Sequence, residues 1–170
     1  MQMREVSCDQ IGLTLIEALI GITIIGGMVT LVMPSFLFYV VNNELNSSTK
    51  LTVGWLEELR KEAQQKSVIC RASWNFTEAT IQGSCGDDDQ TKLLDINFTT
   101  SREIAINNHS GPTTWIFTPQ GTSTTSGQVV FTSNDSPEET GRCIKLTAPL
   151  AVIGAGKRSS SGICDFTKIF

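Results

Sequence analysis

The sequence is poor in the groups that do chemistry. It has one histidine, His109, in an N-N-H-S-G run that reads as a solvated turn. A nucleophilic serine or cysteine needs a base and a third group to orient that base, and nothing flanking His109 supplies either role. The five cysteines, Cys8, Cys70, Cys85, Cys143 and Cys164, include no C-x-x-C pair, so the usual zinc-ligand spacings are missing. The acidic run Asp87, Asp88 and Asp89 lacks the D-x-[DN]-x-[DN]-G order of a calcium loop and reads as a solvated turn. Basic excess is missing too: 13 Lys and Arg stand against 17 Asp and Glu, a net charge of -4. The balance argues against wholesale nucleic-acid binding, which rests on neutralising phosphates, and leaves local patches open. No enzyme activity, metal or cofactor is expected.

Charge is also absent from one long stretch. Residues 13–41, LTLIEALIGITIIGGMVTLVMPSFLFYVV, hold no Lys, Arg or Asp and one carboxylate, Glu17. As a helix this run spans roughly 43 Å, more than the ~30 Å hydrocarbon core, and it is expected to cross a bilayer. A short polar leader, MQMREVSCDQIG, precedes it, the reverse of an ordinary secretory signal, whose cut site follows its apolar stretch. Gly12 marks the boundary, and a cut there leaves the apolar helix on the mature chain. Glu17 costs a few kcal/mol inside a membrane and needs a partner. The new amine of Leu13 lies four residues back, near the same helical face, within one chain or across two; a carboxylate tolerated at the interface is the alternative. Loss of the leader removes Cys8 and leaves four cysteines, which allow three pairings. Cys70–Cys85 and Cys143–Cys164 are favoured because each closes a short loop rich in Gly, Ser and Asp; buried free thiols are the alternative.

After Val41 the chain turns polar. Leu45, Thr49, Thr52, Leu56, Leu59 and Ala63 recur at alternating steps of three and four, one face of a helix over 42–67. Either this continues the apolar helix or the two are separate, broken at Asn42 and Asn43 or at Gly54. Beyond Ser67, short β-branched and aromatic runs separated by turn residues predict strands at 68–74, 92–98, 102–106, 114–118, 128–132, 142–147 and 150–153. The expected fold class is α+β, a long N-terminal helix on an antiparallel sheet. Its parts are a leader (1–12), a transmembrane and filament-core helix (13–41), an amphipathic half (42–67) and a β-rich head (68–170).

The run G-L-T-L-I-E-A-L-I at 12–20 resembles the class III signal of type IV pilins and type II secretion pseudopilins. The resemblance implies cleavage after Gly12 by prepilin peptidase, N-methylation of Leu13 and a role for Glu17 in subunit recruitment. Pro34 stands where many members carry a helix-kinking proline. Two features depart from the pattern: Leu13 replaces the usual phenylalanine, and Arg4 faces Glu5 and Asp9, so the leader has no basic excess to set orientation. The head is most similar to the GspH/FimT branch of minor pilins, through Leu59-Arg60-Lys61-Glu62-Ala63, then Val68-Ile69-Cys70, then the F-x-P-x-G turn from Phe117 to Gly121. This implies a pilin fold. The implied partners are other pilin subunits, prepilin peptidase, the inner-membrane assembly machinery and, before assembly, the lipid bilayer. The implied location is the inner membrane with a periplasmic head, then an extracellular pilus or a periplasmic pseudopilus.

The last stretch, 142–170, has the opposite charge balance, with Arg142, Lys145, Lys157, Arg158 and Lys168 against Asp165. A loop at 156–162, closed by Cys143–Cys164, would present cations and backbone donors to phosphate. The alternative function is thus a filament-tip subunit that binds DNA during uptake through Arg142, Lys145, Lys157 and Arg158, against the plainer reading of a solubilising loop.

Overall fold

The computed structural model describes residues 14–86, 91–97, 103–133, 141–159 and 161–167, without the side chains of 29–35. The chain divides into two compact units, Met1–Leu37 and Phe38–Phe170. Both draw on one helix, α1, Leu15–Lys66, so neither Asn42 and Asn43 nor Gly54 breaks it. Its ends are specified locally. Thr14 caps the start, with its Oγ1 accepting from the Glu17 amide at 3.3 Å and its carbonyl accepting from the Ala18 amide at 3.1 Å. At the other end Ser67 takes a left-handed φ of 56°. Its amide donates to Gln64 O at 3.3 Å and the Val68 amide donates to Ala63 O at 3.2 Å, the paired bonds of a Schellman cap.

In the first unit the described helical side chains other than Glu17 and Thr23 are apolar, and large ones are exposed, among them Leu15 (83 %), Ile16, Leu19, Ile20, Ile22, Ile24, Ile25 and Met28. Among the described residues no helix is long and apolar enough to cross a membrane. Part of the stretch expected to cross, 29–35, lies outside the described side chains.

In the second unit α1 buries one face. Val41, Leu45, Ser48, Thr49, Thr52, Leu56, Leu59 and Ala63 are buried, which includes every position of the stripe expected from spacing. Its threonines are tolerated because their hydroxyls donate to the helix's own carbonyls, Thr49 to Leu45 O at 2.7 Å and Thr52 to Ser48 O at 2.8 Å.

The strands form two antiparallel sheets. The first contains β1 (Cys70–Asn75), β2 (Thr80–Cys85), β3 (Lys92–Asp95) and β5 (Thr114–Phe117), in the order β3-β2-β1-β5. The second contains β4 (Ile104–Ser110), β6 (Gly127–Ser133), β7 (Arg142–Thr147), β8 (Val152–Arg158) and β9 (Cys164–Asp165), in the order β4-β6-β7-β8-β9. Trp74 and Trp115 meet edge to face at 4.9 Å, and with Phe117, Phe131, Ile104, Ile106, Ile144 and Leu146 they join the buried helix face in one core.

The strand reading needs four corrections. β2 was not anticipated, because only Thr80 and Ile81 in it are β-branched; its Gly83 is smooth so that Trp55 and Leu59 of α1 can pack on it, an added Cβ falling 2.8 Å from Trp55. β4 runs on to Ser110, with the register shifting between Asn108 and Ser110, so His109 is the exposed residue of a bulge within a strand, not a turn residue. The expected strand at 150–153 is displaced, since 148–151 is the turn and β8 runs through the Gly156, Lys157, Arg158 run read as a loop. β9 is too short to leave a periodic signal.

Candidate assembly site

Gly12 and Leu13, the expected cleavage pair, lie outside the described residues. Glu17 is exposed in the first turn of α1, where a carboxylate is also favoured by the helix's positive end. Thr14-Leu15-Ile16-Glu17 therefore has the residue order of a capping box, a local reason for a carboxylate here alongside any partner amine. Pro34 falls within α1, with its side chain outside the described set. Both favoured disulfides, Cys70–Cys85 and Cys143–Cys164, are formed.

The second sheet is joined to α1 through Arg142. Its Nε donates to Asn46 Oδ1 at 2.6 Å, its Nη2 to Asn42 Oδ1 at 2.9 Å and its Nη1 to Gly141 O at 3.2 Å. Only 5 % of the residue is exposed, and burial pushes the guanidinium's pKa below its usual value. Asn42, read in the sequence as part of a candidate helix break, instead offers a carbonyl to this fork, one turn before Asn46 on the same helical face.

A second joint lies nearer the end of α1. Arg60 Nε donates to Gly121 O at 2.8 Å and its Nη2 to Leu150 O at 3.4 Å, while Gln64 Nε2 donates to Gln120 O at 3.3 Å. The F-T-P-Q-G turn is thus read by the helix through its backbone carbonyls. Gly121 has a φ of +74°, and a Cβ there would fall 2.0 Å from Gln64 Nε2. Only glycine serves both needs.

A family model described as type II transport protein GspH matches residues 51–149, more than half of the chain. The chain belongs to the GspH family. Comparison with curated proteins and with solved structures returned no match. The GspH match covers Arg60, Gln64, the Gly121 turn, Cys70–Cys85 and Arg142, but not Asn42 and Asn46, the α1 side of the Arg142 joint. It excludes the apolar part of α1, and it ends before β8 and β9.

The basic residues of this GspH-family head do not converge. Arg142 departs from the expected phosphate-binding set because its guanidinium is buried and bonded to α1. Lys157 pairs with Arg142 across β7 and β8. Strand alternation therefore turns Lys157 to the face of Arg142 and Arg158 to the opposite face, with Lys145. Lys145 Nζ in turn sits 5.7 Å from the Phe166 ring centroid. The expectation of one phosphate-facing loop fails because the segment is a strand.

The residues that sequence reasoning missed are Asn42, Asn46, Arg60, Gln64 and Gly83. Arg60 and Gly121 were both inside the quoted motifs, and their separation of 61 residues along the chain hid the bond between them. Asn42 and Asn46 carried one usable signal, a pair of short amides at i and i+4 on a helix.

Proposed function

We propose that the protein is a structural subunit of the pilin type, a minor pilin or pseudopilin, and not a catalyst. The observation that carries this reading is the apolar part of α1. A helix that is apolar all round has no stable exposed state in water and must be covered by lipid or by other helices. Apart from Glu17 and Thr23, residues from Leu15 to Met28 have that character, on the same helix whose later half anchors a GspH-family head.

In this reading the chain inserts in the inner membrane as a single-pass precursor. Prepilin peptidase cuts it after Gly12 and methylates Leu13, and the helix then moves from lipid into the core of a type IV pilus or type II secretion pseudopilus. Glu17 steers recruitment by meeting the free amine of a neighbouring subunit, and Pro34 loosens the helix by removing an amide donor. The partners are other pilin subunits and the assembly machinery of the inner membrane.

The intact mass of the native protein tests the reading. A mature chain beginning at methylated Leu13 is expected. A chain that still begins at Met1 in cells with an active prepilin peptidase overturns it. Glu17→Ala is expected to leave membrane insertion intact and to reduce incorporation into filaments. Unchanged incorporation removes the assigned role of Glu17.

A further inference from the structure

We propose that Phe38 and Tyr39 form an aromatic anchor for the headgroup layer of a phospholipid bilayer, and that this anchor fixes how deep α1 sits before assembly. The proposal rests on the membrane reading above and adds to it the level at which lipid gives way to water.

The sequence places its aromatic rings unevenly. Residues 1–35 contain no Phe, Trp or Tyr, although most of 13–35 is apolar. Phe36, Phe38 and Tyr39 then follow within four positions, Tyr39 being the chain's only tyrosine, and the next ring is Trp55. Val40 and Val41 end the apolar run, and Asn42 and Asn43 begin the polar one. Aliphatic side chains through the hydrocarbon, with rings where it ends, are the distribution of a membrane boundary. A phenol ring has an apolar body and a polar tip, and it is best satisfied where one end is in lipid and the other in water.

The head leaves these rings uncovered. Phe38 and Tyr39 open the second unit, yet they are 50 and 67 % exposed, whereas Val41 is 3 % and Leu45 0 % exposed. The head therefore begins to cover α1 only from Val41. One turn after Phe38, Asn42 Nδ2 donates back to Phe38 O at 3.0 Å while its Oδ1 accepts from Arg142. The first amide of the polar stretch is thus held by the head, and the two rings stand just outside it.

The spacing selects the occupant. At about 1.5 Å per residue a helix from Glu17 to Tyr39 rises roughly 33 Å, against about 30 Å of hydrocarbon. Glu17 is the only charged residue in 13–41, so the run's one carboxylate and its one phenol fall at the two boundaries, with Met28 midway between them. A neighbouring helix does not require rings at this level, since exposed aliphatic side chains such as Leu19, Ile22 and Ile25 pack on it equally well. Rings confined to the end of the run, with the phenol beside the first amides, fit the headgroup layer.

The test uses the full-length chain in vesicles of phosphatidylethanolamine and phosphatidylglycerol that carry a phospholipid brominated either near its headgroup or near its chain ends, bromine being a short-range quencher of tryptophan fluorescence. Tyr39→Trp and Met28→Trp are each compared with the wild type, whose Trp55, Trp74 and Trp115 supply the background. Tryptophan shares the boundary preference of tyrosine, so the first substitution keeps the anchor. The added Tyr39→Trp signal is expected to be quenched at least about twofold more by headgroup-side bromine, and the Met28→Trp signal about twofold more by chain-end bromine. Adding Phe38→Ala and Tyr39→Ala to the Met28→Trp chain removes the anchor at two exposed positions, and is expected to shift its quenching ratio by about twofold as the helix changes depth or tilt. No quenching or a chain-end preference for Tyr39→Trp, with the expected pattern for Met28→Trp, overturns the proposal, as does a Met28→Trp ratio that the two alanines leave unchanged. Absence of quenching of Met28→Trp by either lipid removes the membrane reading itself, so the two failures are distinguishable.

Discussion

Arg142→Ala is expected to weaken the head more than any change of an exposed residue. The guanidinium makes two bonds to side-chain amides of α1, at 2.6 and 2.9 Å, and one to a backbone carbonyl at 3.2 Å. Hydrogen bonds involving a charged group each contribute about 1.5–3 kcal/mol net. Asn42 and Asn46 are half-buried, so water reaches their carbonyls after truncation and part of that contribution is recovered. The burial of the ion opposes the interaction as well. A net loss of about 2–4 kcal/mol remains.

The assay is urea unfolding of the full-length protein in detergent, followed through buried Trp74 and Trp115. Arg142→Lys keeps a charge but not the fork, and is expected to lose about half as much. The double variant with Asn46→Ala should show a coupling of about 1–2 kcal/mol, and amides around 42–50 of α1 should exchange faster in either single variant. A change below about 0.5 kcal/mol for Arg142→Ala, the range of ordinary surface substitutions, or strict additivity with Asn46→Ala, refutes the joint.

Gly121→Ala should destabilise by about 1–3 kcal/mol, the cost of a left-handed alanine with loss of the Gln64 contact, read as a lower thermal midpoint. Reducing the disulfides should cost about 3 kcal/mol each, given sequence separations of 15 and 21, seen as separate shifts in Cys70→Ser/Cys85→Ser and Cys143→Ser/Cys164→Ser pairs. The Glu62 carboxyl is held below its usual value of 4.5, first by its hydrogen bond with Lys66 and then by that with Lys92. Its contribution is therefore present above pH 4.5 and is lost as pH falls through the lowered value. Lys92 is raised above 10.5, chiefly by Glu62, and its contribution is lost as pH climbs past the raised value. Glu62→Gln should flatten both limbs of a stability–pH curve, by no more than about 1 kcal/mol because Lys92 is half exposed.

Which features were legible in the sequence depended on how local their cause is. The buried stripe of α1 was legible because helical spacing alone places Leu45, Thr49, Thr52, Leu56, Leu59 and Ala63 on one face. The disulfides were legible because each closes a short loop. β2 was not, because its place is set by Gly83 fitting beneath Trp55 and Leu59, two contacts that exist only after the helix docks. Arg142 was misread for a related reason. A cation in a basic run is usually solvated, and only the approach of Asn42 and Asn46, about a hundred residues earlier in the chain, makes it interior.

The same distinction explains where the family signal ends. Residues 51–149 contain Arg60, Gln64 and the Gly121 turn, though not Leu150, and one side of the Arg142 joint. Each joint joins polar side chains to backbone or amide carbonyls, an arrangement that tolerates few substitutes because a buried donor left without its acceptor is costly. Among the described residues β8 and β9 make no such side-chain joint to α1. They are held by main-chain pairing, by Cys143–Cys164 and by Ile153 packing on the core.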